Sequence, residues 1–360
     1  MSRPASITIH SSALRNNLLV AKQAAPNSKV MPAVKANAYG HGIISTASTL
    51  SDLADGFIVA CISEALVLRE SNITNELLVI QGHQTIEDLN IAAEKNIRLV
   101  IHDEAQLDLL GSFSSKLNLK VALKLDTGMH RLGIEPSLTP SIYAKLQAHS
   151  SIHPDIWLMT HLACADDIKN PYTQQQIATF EHHTQSFSTT KTIANSAGIL
   201  AWAGSHKDWI RPGIMIYGSS PIMGKSRKDF NLQATMTLAA PLIAIHPLKK
   251  GDAIGYGSTW TCPQDMQVGV VACGYADGYP RHAASGTTVF LNGKLSQTLG
   301  RVSMDLIVID LTNIQAEIGH LVELWGGDIN VDDIAQSAET ISYELLCHAG
   351  SSCTKTIEPS

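Results

Sequence analysis

No run of apolar residues in the chain approaches the roughly 18 that a membrane-spanning helix needs. The first six residues, Met1 to Ser6, contain no apolar stretch of the kind that a secretory signal carries. A basic block is missing too. The formal charge is −6 at pH 7, which argues against nucleic acid or an anionic membrane surface as the partner. The six cysteines, at positions 61, 164, 262, 273, 347 and 353, include no C-x-x-C pair and have no histidine partners at zinc spacing. Free thiols used in packing, in a reducing compartment, fit this scatter better than a disulfide frame or a metal site. Repeats and low-complexity segments are also absent. The expectation is a soluble, cytoplasmic protein with no bound metal, no nucleic-acid partner and no membrane.

What is present is a long, apolar-rich chain. At 360 residues and 44% hydrophobic it exceeds the size at which one core stops growing, so two domains, or one barrel with insertions, are expected. Residues 12–25 have helical spacing, with Leu14, Leu18, Leu19 and Ala21 on one side. Strand patterns follow at 30–34, 56–61, 77–80, 98–101, 119–125, 156–160, 191–194 and 209–217, with amphipathic stretches between them at 63–70, 86–95, 104–110, 140–148 and 172–187. Eight strands interleaved with helices predict an α/β fold, a (β/α)8 barrel. Beyond Gly218 the composition changes. Residues 218–231 have linker character, and β-rich segments with frequent turns follow at 236–245, 267–273, 287–291, 306–311 and 320–324. Asn292-Gly293 after an apolar run signals a hairpin. The expected division is a barrel over residues 10–231 and a mostly antiparallel β domain over 232–360, with 1–9 adding a strand to it.

The chemistry concentrates in Val34-Lys35-Ala36-Asn37-Ala38-Tyr39-Gly40-His41-Gly42. A lysine directly after a buried strand is partly desolvated, so its pKa falls below about 10.4 and it can attack a carbonyl to form a Schiff base. The glycines allow close backbone approach, and Tyr39 can offer its hydroxyl to a phosphate. A lysine snorkelling from a strand end is the competing reading. A second signal is collective: Lys35, Arg131, His161, Asn195 and Ser196 fall at or beyond the carboxyl ends of predicted strands, and Arg211 sits in the last strand region; barrel enzymes keep their sites at the carboxyl ends.

The lysine string closely resembles the cofactor-lysine motif of the alanine racemase family, whose members use pyridoxal 5'-phosphate. Further matches follow in order: Lys124-Leu125-Asp126-Thr127-Gly128-Met129-His130-Arg131-Leu132-Gly133, Trp209-Ile210-Arg211-Pro212-Gly213-Ile214, Ile254-Gly255-Tyr256-Gly257, Gly274-Tyr275-Ala276-Asp277-Gly278-Tyr279, Gly300-Arg301-Val302-Ser303-Met304-Asp305, and Ser342-Tyr343-Glu344. The resemblance implies a racemase interconverting L- and D-alanine for peptidoglycan metabolism, working as a homodimer with shared sites. Lys35 would carry the cofactor and act as base on the D face, and Tyr256 would act on the L face. Returning a proton to the opposite side of Cα needs a second base, because one side chain rarely reaches both faces. Phenols titrate near pH 10, so that role requires nearby positive charge, for which Arg131 is a candidate.

By the same resemblance Arg131 holds the cofactor's phenolic oxygen and the substrate carboxylate, to which Met304 also contributes. Arg211, supported by His161, faces the pyridine nitrogen without giving up its proton. Tyr39, Tyr343, Ser196, Gly213 and Ile214 bind the phosphate, and Tyr275 and Tyr343 narrow the entrance. Lys124 matches a lysine that can be carbamylated in the family; simple pairing with Asp126 is the alternative. Three departures stand out: Thr192 where some members carry histidine, His130 where a smaller residue is common, and a tail after Cys347 without the usual arginine-bearing strand. A broad-range amino-acid racemase remains a second reading. A non-catalytic pyridoxal phosphate carrier would need neither the second domain nor Tyr256, and related decarboxylases would place a carboxylate where Arg211 stands.

Overall fold

The computed structural model describes residues 3–350 and 353–358. Its first strand, β1 (Arg3–His10), leads into the helix Ser11–Ala24, which buries Ala13, Leu14, Leu18 and Ala21 and leaves Leu19 exposed, contrary to the helical face read from the sequence. Eight parallel strands follow: β2 (Lys29–Val30), β3 (Gly56–Val59), β4 (Glu76–Val79), β5 (Ile97–Ile101), β6 (Val121–Lys124), β7 (Trp157–Met159), β8 (Lys191–Thr192) and β9 (Trp209–Ile210). They pair in the order β2-β9-β8-β7-β6-β5-β4-β3. The ring is closed by a parallel bridge between Ala33 and Ile58, where Val34 N donates to Ile58 O at 2.8 Å and Ile58 N to Pro32 O at 3.0 Å. This is a (β/α)8 barrel, with helices such as Ile62–Glu70, Ile86–Glu94 and Tyr172–Thr184 in the connections. Strands β3, β5 and β6 are buried at every position, because helices cover one face and the barrel interior the other. Such strands read as apolar runs rather than alternations.

Several sequence-predicted strands are shorter in the structure, the last of the barrel most of all. Residues 209–217 form a strand only to Ile210; Arg211-Pro212-Gly213 then turns the chain into a 3-10 helix, Ile214–Tyr217. Proline cannot donate to a ladder.

The second unit contains β10 (Met236–Leu248), the short pair β11 (Ala253–Ile254) and β12 (Trp260–Thr261), β13 (Met266–Val271), β14 (Thr288–Leu291), β15 (Lys294–Leu299), β16 (Ile307–Asp310), β17 (Leu321–Trp325) and β18 (Cys353–Glu358). The long β10 pairs antiparallel with β17 through its first half and with β13 through its second, and its register shifts between Leu238 and Ala239 in the first pairing and between Leu242 and Ala244 in the second. That closes β13-β16-β15-β14-β17-β10 into a small antiparallel barrel, with β1 and β18 continuing from β10. Asn292 and Gly293 both have positive φ, 51° and 77°, which matches the hairpin turn between β14 and β15.

Two segments differ from expectation. The stretch 218–231 is stitched down: buried Arg227 donates to the carbonyls of Gly326 (2.7 Å) and Gly327 (2.5 Å), and Ser219 and Ser220 bind the Asp332 carboxylate. The tail does form a closing strand, β18, parallel to β1, and its Lys355 donates to Gly40 O at 2.8 Å. Of the residues expected to add a strand at the amino terminus, 3–9 do so, while 1 and 2 lie outside the described residues.

Candidate active site

Beyond the buried Val34 the chain makes a turn that the sequence did not suggest. Ala36, Asn37, Ala38 and Tyr39 all have left-handed backbone angles, with φ between 50° and 54°. Each such L-residue costs roughly 1–2 kcal/mol, so the turn has to be held by its surroundings. Glu64 does much of this: Oε1 accepts from Ala36 N and Oε2 from Ala60 N, both at 2.7 Å, tying the end of the first barrel strand to the second. Asn37 Oδ1 accepts from Ile43 N at 2.8 Å. Small side chains at 36 and 38 limit the steric conflict.

Buried His41 closes the turn. Its Nδ1 lies 2.9 Å from Tyr39 O, and its Nε2 lies 2.8 Å from Thr235 Oγ1. Burial pushes its pKa down to about 4. The unfolded chain therefore binds more protons than the folded one between about pH 6.5 and 4, and stability falls as pH drops through that window. The expected loss is about 3 kcal/mol. Denaturant melts from pH 7 to pH 4 check it: His41→Gln should show a flatter profile than the parent, and an equally steep one would exclude His41 as the source.

Lys35 opens this turn as a half-buried amine. Its pKa is lowered chiefly by burial and then by Arg131, against opposing effects of Glu64 and Cys347. A lowered pKa supplies more of the free-base, nucleophilic form at neutral pH.

The Tyr39 ring stacks on Tyr217 at 4.5 Å between centroids and lies 5.8 Å from the Tyr343 ring. Burial raises the Tyr39 pKa, so its hydroxyl is kept as a donor. Ser196 Oγ accepts from Gly213 N at 2.8 Å and Met215 N at 3.3 Å. Ile214 opens the 3-10 helix, so its N–H has no partner within it. A Cβ on Gly213 would stand 3.0 Å from the Tyr39 hydroxyl and 3.8 Å from Ser196 Oγ. Glycine thus leaves open a space bordered by two hydroxyls and the Ile214 N–H, a suitable cradle for a phosphate.

Across the barrel mouth Arg211 is buried and fixed. Nη1 donates to Thr192 Oγ1 at 2.5 Å, and Nη2 to the carbonyls of Thr160 (2.6 Å) and Ile193 (3.0 Å). Thr192 in turn donates to Trp209 O at 2.8 Å. This hydroxyl holds the arginine in place. Nε of Arg211 has no acceptor among the described residues and is free for a ligand. Burial lowers the Arg211 pKa to about 10, which leaves it charged at neutral pH. The contact to His161 Nδ1 is long, 3.5 Å. Burial and the nearby Arg211 hold His161 well below its usual range, so it is a neutral neighbour.

Lys124 is buried with no hydrogen bond or ion pair to any described residue, and its pKa is lowered to about 8 by burial, Arg211 and Arg131. The suggested pairing with Asp126 is overturned. Asp126 Oδ1 instead accepts from the backbone of Gly128, Met129 and His130 at 2.9–3.0 Å, shaping the loop that leads to Arg131. Arg131 is exposed. Lys35, Lys124, Arg131 and Arg211 thus form a group of cations that repel one another, an arrangement suited to an anionic ligand.

The structure brings Lys35, Tyr39, Arg131, His161, Ser196, Arg211, Gly213, Ile214 and Tyr343 around one barrel mouth. Tyr256 and Met304 are placed elsewhere. Tyr256 sits in the 3-10 turn Tyr256–Ser258 of the β unit and is 72% exposed; Met304 is 53% exposed. Sequence reasoning missed Glu64, which carried no local signal, and Cys347. The latter was taken for a packing residue, yet it is exposed and lies one turn beyond Tyr343 on the helix Ser342–His348, near Lys35. All six cysteines are free thiols.

Comparison with known proteins gives matches along the whole chain. Residues 9–221 match the alanine racemase N-terminal domain and residues 235–357 the alanine racemase C-terminal domain. An alanine racemase of Shewanella woodyi is 45% identical over 339 residues, covering 94% of both chains. One from Haemophilus influenzae is 44% identical, covering 96% of both. The crystal structure of biosynthetic alanine racemase from Pseudomonas aeruginosa superposes with a TM-score of 0.96 at 38% identity, over 99% of this chain and 100% of that one.

Proposed function

The chain belongs to the alanine racemase family, and from that premise we propose that it interconverts L- and D-alanine with pyridoxal 5'-phosphate at the barrel mouth, in a homodimer whose sites are shared. The observation that carries this reading is the desolvated Lys35 amine, set in a ring of cations beside the open cradle of Tyr39, Ser196, Gly213 and Ile214. The residues fit the cofactor. Lys35 would hold it covalently, the cradle and Tyr343 its phosphate, Arg131 its phenolic oxygen, and Arg211, through its unengaged Nε–H, its ring nitrogen. When bound, the cofactor withdraws electrons from the substrate and loosens the Cα–H bond.

The protein's part is proton placement. Lys35 removes or returns the Cα proton on the D face, and Tyr256 of a second copy does so on the L face. The exposure of Tyr256 and Met304 in this chain supports a neighbouring copy as the surface they serve. Arg131 and the Met304 loop hold the substrate carboxylate, and a guanidinium fork suits that anion. A carbamate on Lys124, formed when its neutral amine adds to CO2 and the N–H proton is lost to solvent, would put an anion able to fix Arg131 where an unpaired buried amine stands. In this reading residues 10–231 carry the cofactor, and 232–360 with 1–9 carry the second base. The reaction supplies or consumes D-alanine for peptidoglycan metabolism in the cytoplasm; among the described residues no helix is long and apolar enough to cross a membrane.

Chiral chromatography of the purified protein, loaded with pyridoxal 5'-phosphate and given a panel of L-amino acids, tests the reading. L-Alanine should run to an equimolar mixture, with kcat/KM at least about tenfold above the other amino acids, since pocket contacts set such ratios. A flat profile would favour a broad-range racemase, and no inversion of any substrate would sink the reading.

A further inference from the structure

Asp277 is fully buried in the β unit, and the only cation paired with it among the described residues is Arg3, from the opposite end of the chain. Arg3 Nε donates to Asp277 Oδ1 and Nη2 to Oδ2 at 3.1 Å; the same Nη2 also donates to Asp305 Oδ1 at 2.5 Å. The two carboxylates belong to different loops. Asp277 ends the 3-10 turn Tyr275–Asp277, and its Oδ2 accepts from Gly274 N at 2.9 Å. Asp305 follows Met304.

These loops are packed backbone to backbone. Tyr275 N donates to Ser303 O at 3.1 Å and Ala276 N to Met304 O at 3.0 Å. A Cβ on Gly274 would stand 2.3 Å from Met304 O, so only glycine permits the contact. The Tyr256 turn leans on the same loop: the Cβ positions of Gly255 and Gly257 lie 3.7 Å from Arg301 N and 3.2 Å from Arg301 Nη1. Tyr256, Tyr275 and Met304 are therefore three exposed side chains on one platform, and behind its backbone bonds one guanidinium joins the carboxylates of the two loops.

We propose that Arg3 is a positioning residue for racemisation: by bridging Asp277 and Asp305 it fixes the 301–306 loop, and through it the placement of Met304 and Tyr256 toward the substrate. This rests on the shared-site reading above. The fork of arginine matters here, because it meets Asp277 through Nε and Nη2 while Nη2 also reaches Asp305, a fixed planar geometry that the point charge of a lysine does not reproduce. A buried carboxylate left without its cation is expensive, which is why Arg3 also contributes to folding and why the test has to separate the two effects.

The test uses the holoenzyme of the parent and of Arg3→Lys, Arg3→Gln and Asp305→Asn. It reads kcat and KM for alanine in both directions, together with amide hydrogen exchange of peptides covering 274–278 and 301–306. Arg3→Gln should raise KM about tenfold with a smaller loss in kcat, as expected when ground-state grip on the substrate is weakened. Exchange at both loops should rise about tenfold. Arg3→Lys should lie between Gln and the parent. Asp305→Asn keeps the buried pair and so folds even where Arg3→Gln does not; it should raise KM about threefold and loosen 301–306 alone. Lower thermal stability with KM and exchange unchanged would overturn the positioning role, as would an Asp305→Asn enzyme identical to the parent. If the parent does not racemise alanine, the functional reading fails, while the exchange data still decide whether Arg3 holds the two loops.

Discussion

Lys35→Ala is expected to fold normally and to racemise alanine at least about 10⁴-fold more slowly than the parent, a loss of roughly 5 kcal/mol in transition-state stabilisation. The two effects separate because of where the amine sits. It is half-buried, and its charged form is disfavoured by burial and by Arg131, so it contributes little to folding. Truncating such a side chain should change stability by less than about 1 kcal/mol. The functional loss is large because, in the proposed function, the same amine has two tasks, holding the cofactor and moving a proton at Cα. Borohydride reduction followed by peptide mapping should place the pyridoxyl group on Lys35 in the parent and on no peptide in the variant. Lys124 is the informative competitor, because it too is a buried amine with its pKa lowered, to about 8. Label on Lys124 in the parent would overturn the assignment.

Tyr256→Phe should be as damaging to racemisation, yet leave one half of the chemistry intact. Its side chain is 72% exposed and lies on a short turn, so losing the hydroxyl should not affect the fold of the chain. Racemisation should fall by at least about 10³-fold in both directions, the upper part of the range for losing a general base. Lys35 remains, however, and can still remove and return the proton on its own face. In D2O the variant should therefore exchange the Cα proton of D-alanine with retention of configuration, while L-alanine exchanges far more slowly. Proton NMR with chiral analysis reads both outcomes. Equal exchange of the two enantiomers would remove the face assignment, and near-normal racemisation would remove Tyr256 as a base.

How much of this was legible in the sequence depends on how local the cause is. Barrel strands such as 98–101 are apolar runs because they are covered on both faces, and the run is visible without any partner. Lys35 was legible for a similar reason: an amine at the end of such a run stands out. The left-handed turn after it was not, because Ala36 and Ala38 disfavour positive φ and only Asn37 tolerates it readily; Glu64 and the Asn37 side-chain Oδ1 hold the turn through contacts that only the folded chain supplies. Residues 209–217 looked like one strand because the apolar pattern runs through the break at Pro212. Residues 218–231 looked like a linker because glycine and serine are also what a tight, carbonyl-facing connection uses, and the buried Arg227 finds its acceptors about a hundred residues away. Arg3 and Asp277 are further apart still. That β1 joins the β unit was expected, but nothing in either segment announces that these two side chains meet.

The central claim is that each site draws Lys35 from one copy of the chain and Tyr256 from another, and a mixing experiment tests it most directly. Lys35→Ala and Tyr256→Phe, carrying different tags, are refolded together and mixed dimers are isolated in parallel. Each pure variant should be nearly inactive, because every site lacks one base. In a mixed dimer one site combines both intact residues and the other lacks both. Random reassortment makes roughly half the dimers mixed, so the mixture should recover about a quarter of the parent's activity. Mixed dimers present by their tags but no more active than the pure variants would contradict the claim, since bases drawn from the same chain cannot be complemented by any mixture.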